Sequence, residues 1–230
     1  MALYPIWGIL YLCNAKFLVE NDCMGKKSFQ RKNELIEAAL DEFTTKRYEN
    51  ASLNKIIKNA GISKGTFYYH FKDKQALYIF LHESAYKAEM EFMNSHIEEL
   101  DEDYNQKDIF EKLKLNAKIG VEFAAAFPRY LKLTTMFVKE EGNKENKKIF
   151  EYLNNFREKN IVSGIEEMVT DAMDAGEFNN RFSMDFITRI TNYLFIHYTE
   201  IFGMEDDFES SKFLENVNNF IDFLKYGFGK

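Results

Sequence analysis

The chain has 230 residues, 46% of them hydrophobic, with two prolines and eleven glycines, a composition that suits one or two packed helical domains. Its net charge of −7 is unevenly divided: residues 1–23 carry −1, residues 24–74 carry +5 from eleven Lys/Arg against six Asp/Glu, and residues 75–230 carry −11. No run approaches the roughly 18 apolar residues of a membrane span. Both cysteines, Cys13 and Cys23, lie in the first 23 residues, which points to a reduced, cytoplasmic setting.

From Lys27, the positions Phe29, Leu35, Ile36, Ala39, Leu40 and Phe43 recur at helical spacing and predict a first helix. Residues 52–74, SLNKIIKNAGISKGTFYYHFKDK, then read as two short helices joined by a tight turn. Ser52 caps the first, which carries Leu53, Ile56, Ile57 and Ala60. Gly61 stands where the chain must turn sharply, in a left-handed conformation that glycine adopts freely. Ile62 returns to the core, and Ser63 caps the second helix. Phe67 and Phe71, four apart, share the inward face, which leaves Gly65, Thr66, Tyr68, Tyr69 and Lys72 on the other faces. Gly65 inside so short a helix costs about 1 kcal/mol against Ala, a cost that a close approach to another backbone or to a base would justify. Asp73 is expected to cap a third helix beginning at Lys74.

The run Ile56-Ile57-Lys58-Asn59-Ala60-Gly61-Ile62-Ser63-Lys64-Gly65-Thr66-Phe67-Tyr68-Tyr69-His70-Phe71-Lys72-Asp73-Lys74 resembles the helix-turn-helix of the tetracycline-repressor (TetR, AcrR-like) family of transcription regulators. With the preceding helix the match spans about fifty residues. Ile57 departs from the small residue usual there. The resemblance implies that Lys64, Gly65 and Thr66 approach base edges and that Tyr68, Tyr69, His70 and Lys74 mostly meet phosphates. Ser52 and Asn54 match backbone- and base-contacting positions, and Lys55 joins the same DNA-binding set. The chemistry agrees: Lys donates to guanine, Asn pairs with adenine, and Thr offers a hydroxyl or a methyl. Lys26, Lys27, Arg31 and Lys32 lie where the family touches phosphates. MGKKSFQRK is a typical opening for this family, so translation from Met24 is the favoured reading of residues 1–23. A signal peptide and a membrane anchor fit them less well, and an extra arm packed through Trp7, Ile9 and Leu10 is the remaining alternative.

The expected organisation is all-α. An extension covers 1–23, a DNA-binding domain 24–75, and an effector-binding and dimerisation domain 76–230. Helices are predicted at 73–99, 107–127, 128–140, 144–175, 183–202 and 209–226. Glu98 to Asp103 reads as a solvated connection, Pro128 as a first-turn residue, Gly142-Asn143 as a break, Gly176 as a terminator, and Ser183 and Asp207 as caps. The last two helices are apolar on more than one face. By resemblance their surplus meets the same helices of a second subunit, with Phe186, Ile190, Leu194, Ile201, Phe213, Val217, Phe220 and Leu224 as the interface. The resemblance also implies an effector pocket, for which Asn116, Phe123, Phe127, Met136, Phe156, Asn160, Met168 and Tyr193 are candidates. The many Phe and Met suit an apolar or aromatic ligand.

The leading function is therefore a ligand-responsive repressor that binds a near-palindromic DNA operator as a homodimer. A helical sensor or adaptor without operator binding is the alternative. Neither a cofactor nor a metal is expected. The four histidines, at 70, 82, 96 and 197, have no metal-ligand spacing, the cysteines have no triad context, and no Gly-rich phosphate loop follows a strand, so the sequence does not read as an enzyme.

Overall fold

Every regular element among the described residues is a helix. The computed structural model describes residues 31–100, 102–141, 147–179, 181–202 and 209–228. The expectations for residues 1–23, Lys26, Lys27, Phe29, Gly142, Asn143 and Asp207 lie outside them.

Helix α1 (Lys32–Phe43) buries Leu35, Ala38, Ala39, Leu40 and Phe43 along one face. Helix α2 (Leu53–Asn59) starts where Ser52 Oγ accepts from the Lys55 amide at 3.3 Å. It ends in a Schellman motif: the Ile62 amide reaches Ile57 O and the Gly61 amide reaches Lys58 O, with Gly61 at φ +64°. Helix α3 (Lys64–His70) follows at once, with Ser63 Oγ accepting from the Thr66 amide at 3.0 Å. Asp73 Oδ1 then accepts from the Ala76 amide at 2.8 Å and opens α4 (Lys74–Leu100). These four signals were all legible in the sequence. In the acidic run, Glu98 and Glu99 are exposed in the last turn of α4, and a short α5 (Glu102–Gln106) follows.

Helix α6 (Ile109–Ala126) opens with a capping box between Asp108 and Glu111. Phe127 separates it from α7 (Pro128–Glu141), whose first residue is the expected proline. The predicted 144–175 helix is α8 (Lys147–Arg157) joined to α9 (Ser163–Asp174) through a π-helical turn, Glu158–Val162. Side chains compete for carbonyls there: Asn160 Nδ2 donates to Phe156 O at 2.8 Å and Ser163 Oγ to Glu158 O at 3.1 Å. Gly176, at φ +71°, ends α9 in a second Schellman motif. The predicted 183–202 helix divides at His197 into α10 (Met184–Ile196) and α11 (Tyr198–Phe202). The division lets the buried Tyr198 ring pack on Phe202, Phe213 and Phe220. Helix α12 (Ser210–Phe228) closes the described fold.

Two large apolar clusters organise these helices, with a smaller third of Met90, Met93 and Ile119 between α4 and α6. The first joins α1–α3 to Leu77, Tyr78, Leu81 and Ala85 of α4, and continues into Leu133 and Phe137 of α7 and Ile149 and Leu153 of α8. The second is built from α6 and α9–α12. The helix-turn-helix is thus packed on the body through one continuous core. Arg129 of α7 adds ion pairs to Glu37 and Asp41 of α1.

Candidate nucleic-acid interface

The two serine caps and the Gly61 turn give α3 two unlike edges. Inward, Phe67 is fully buried and Phe71 nearly so, their rings 5.7 Å apart, with Phe80 of α4 5.4 Å from Phe71. Outward, Lys64 and Gly65 are exposed, and Tyr68 and Tyr69 stand 56% and 70% exposed. The Tyr69 ring meets His70 edge-on at 4.9 Å. Thr66 shares its hydroxyl with Ser63 at 2.9 Å. Asn54 is exposed on α2, and Ser52 is half-buried beneath it. Among the described residues, a Cβ added at Gly65 would meet only Ser63 Oγ, at 3.6 Å, so nothing there demands a glycine. Ile57 is accommodated in the core, 6% exposed.

Two members of the predicted DNA-binding set are engaged inside the fold. Lys74 Nζ donates to Tyr48 O at 2.6 Å and to Ala51 O at 2.9 Å, and lies 4.3 Å from the Tyr48 ring centre. Burial pushes this ammonium below its ordinary pKa, against the opposing pull of Glu49 and Glu42. In the fold it anchors the segment before α2. Lys55 Nζ stands 2.8 Å from Glu42 Oε2. Glu42 itself escaped the sequence reading, although a signal existed. It lies seven residues after Leu35, on the apolar face of α1, where a charge needs a partner.

The predicted effector residues fall into separate neighbourhoods. Phe123 and Phe127 pack with Phe92. Phe156 lies against His82 and Tyr86, and the half-buried Asn160 holds the Phe156 carbonyl. Met168 belongs to the second core, and Met136 is half-buried. Asn116 is fully buried. Its Oδ1 accepts from the Tyr104 hydroxyl at 3.2 Å, while its Nδ2 has no hydrogen-bond partner among the described residues. Tyr193 is 59% exposed. The predicted interface set divides between the chain's own core and its surface. Val217, Phe220 and Leu224 are consumed by the chain's own core, and Leu194 and Phe213 pack against it. Of the predicted set, Phe186 and Ile201 are exposed and Ile190 is half-buried, and Tyr193, Phe223 and Tyr226 extend the outward apolar surface. Helical phase explains the division: a helix apolar on two faces does not reveal which face its own core takes.

A three-helix head with the outer edge of its second short helix bare, carried on a helical body, defines a helix-turn-helix transcription regulator. Residues 35–79 match the profile described as bacterial regulatory proteins, tetR family. The fatty acid metabolism regulator protein of Bacillus subtilis (strain 168) is 32% identical over 146 residues, 63% of this chain and 69% of that protein. The chain belongs to the tetR family, and it is a DNA-binding transcription regulator. Its fold is shared with the fatty acid degradation regulator FadR from Bacillus halodurans, at TM-score 0.60 and 19% identity over 85% of this chain and 96% of that one. It is shared also with FadR from Bacillus subtilis in complex with stearoyl-CoA, at TM-score 0.58 and 20% identity over 84% and 96%. Among the described residues, no helix is long and apolar enough to cross a membrane.

Proposed function

We propose that this chain is a cytoplasmic repressor that holds a near-palindromic operator as a homodimer and leaves it when an apolar effector, a long-chain acyl thioester, occupies the body. The bare edge of α3 is the observation that carries the DNA part. Lys64 and Thr66 face base edges there, Gly65 admits the close approach, and Tyr68, Tyr69 and His70 meet the backbone. The exposed aromatics of α10 and α12 suit a two-fold partner, which would set two copies of α3 about 34–36 Å apart. Residues 24–75 act as the reading head and 76–230 as the sensor, joined by the shared core.

For the effector, the buried Asn116 amide is the telling group. A buried donor without a partner costs about 1–3 kcal/mol, and a carbonyl on a bound ligand would remove that cost. The aromatic group around Phe92, Phe123 and Phe127 offers an apolar surface suited to an alkyl chain. The fatty-acid role of the Bacillus subtilis relative and the stearoyl-CoA held by a protein of the same fold support this ligand class. Release requires the effector to bind the DNA-free conformation more tightly. Titrating stearoyl-CoA, and free CoA in parallel, into the protein–operator complex checks this by fluorescence anisotropy. The acyl thioester is expected to release the DNA and free CoA to leave it bound. Identical responses to the two would refute the acyl reading.

A further inference from the structure

We infer that Glu42 is a positioning residue for DNA binding, holding the start of α2 and the ammonium of Lys55 in the arrangement that the DNA backbone meets. Glu42 sits in α1 beside Phe43 and is 2% exposed, yet its carboxylate is surrounded by donors from three parts of the head. Oε1 accepts from the Ser52 backbone amide at 3.0 Å and from Lys46 Nζ at 2.6 Å. Lys55 Nζ lies 2.8 Å from Oε2, an ion pair whose direction misses hydrogen-bond geometry. One carboxylate therefore links the residues just after α1, the cap of α2 and the first turn of α2. Burial alone would raise its pKa. The Lys46 hydrogen bond, the Lys55 ion pair and the Ser52 amide outweigh that and bring it to about 2, so the group stays ionised.

The two lysines keep solvent-facing sides, with Lys46 38% and Lys55 54% exposed. A phosphate can reach the ammoniums from outside, while the carboxylate behind them is closed off. Two ammoniums on one carboxylate leave the cluster at +1, next to the exposed Asn54 of α2. Lys74 pins the opposite side of the same segment through Tyr48 O and Ala51 O. The approach to α2 is thus fixed from both ends, and Lys55 loses the rotamer freedom that a free surface lysine would have to surrender on meeting DNA. An apolar side chain would fill the site in α1 equally well. Only a carboxylate also orders two exposed lysines beside α2.

The inference rests on the DNA-binding reading, and its test separates the two. Full-length protein, Glu42→Gln, Lys55→Gln and the double variant are titrated at several salt concentrations. The probe is a fluorescent duplex selected by this protein from random DNA, and each variant is melted alongside. Tyr68→Ala is the control: if it leaves affinity unchanged, the reading face itself is wrong, whatever Glu42 does. With that control weakened, Glu42→Gln is expected to bind about tenfold more weakly, with a slope of log affinity against log salt shallower by about one. Lys55→Gln is expected to flatten the slope similarly, and the double variant to add little to Glu42→Gln. Unchanged affinity and slope in a folded Glu42→Gln would reduce Glu42 to a structural role and overturn the inference. Tighter binding, a carboxylate opposing the phosphates, would overturn it as well. Should Glu42→Gln fail to fold, Lys55→Gln decides, because it leaves the bonds from Glu42 to Ser52 and Lys46 in place: an unchanged slope there refutes the inference.

Discussion

Phe67→Ala is expected to cost about 3–5 kcal/mol of stability, the range for removing a buried aromatic ring. Phe67 is fully buried, against the rings of Phe71 and Tyr68. Its cluster runs without a break from α1–α3 through α4 into α7 and α8. The loss should therefore lower the main unfolding transition instead of melting the head alone. Urea denaturation followed by circular dichroism at 222 nm measures it. Tyr68→Ala, one residue on but exposed, is the matching control, expected to stay within about 0.5 kcal/mol of the parent. Equal losses at both positions would mean that the inner and outer edges of α3 are misassigned.

The second large effect is a loss of stability in acid. His82 of α4 is buried among Phe137, Tyr152 and Phe156, with Nδ1 3.0 Å from the Tyr152 hydroxyl. Burial lowers its pKa from 6.5 to about 3. Between those values the unfolded chain binds a proton that the folded chain refuses, so stability falls as pH drops below about 6.5 and continues to fall towards 3. From pH 7 to pH 4 this one group should remove about 3 kcal/mol. Glu42 works in a lower window: its carboxylate is depressed from 4.5 to about 2, so its contribution is complete above 4.5 and is lost as pH falls through 2. Urea midpoints of the parent and of His82→Leu, measured from pH 7 to pH 4.5, separate the two. The variant should lose most of the slope over that range. An equal slope in both proteins would show that His82 accepts a proton in the folded state.

The head was legible because its signals are local. Ser52, Gly61, Ser63 and Asp73 each satisfy or terminate a turn within a few residues of themselves, so spacing alone places them. Phe67 and Phe71 were equally readable, since four residues bring two side chains to one face. What escaped depends on partners distant in sequence. The Lys74 ammonium is taken by carbonyls 23 and 26 residues away. Glu42 closes onto an amide ten residues on. Asp108 is tied to Lys225 across the body. No periodicity encodes such pairings. In α10 and α12 the apolar pattern was correct but two-sided, and only the packed chain shows that Val217, Phe220 and Leu224 turn inward while Phe223 and Tyr226 turn outward. The π-turn at Glu158–Val162 was hidden for a related reason: a single extra residue per turn barely disturbs a helical pattern.

The central claim is that the outer edge of α3 reads DNA. Its most direct test is a salt-dependent titration of the protein against its selected operator and a scrambled duplex, with Lys64→Ala alongside. Specific binding should weaken steeply with salt, and Lys64→Ala should lose about 1–3 kcal/mol on the operator while relaxing preference at one base pair. Equal affinity for operator and scrambled DNA, or an unchanged affinity in Lys64→Ala, would contradict it.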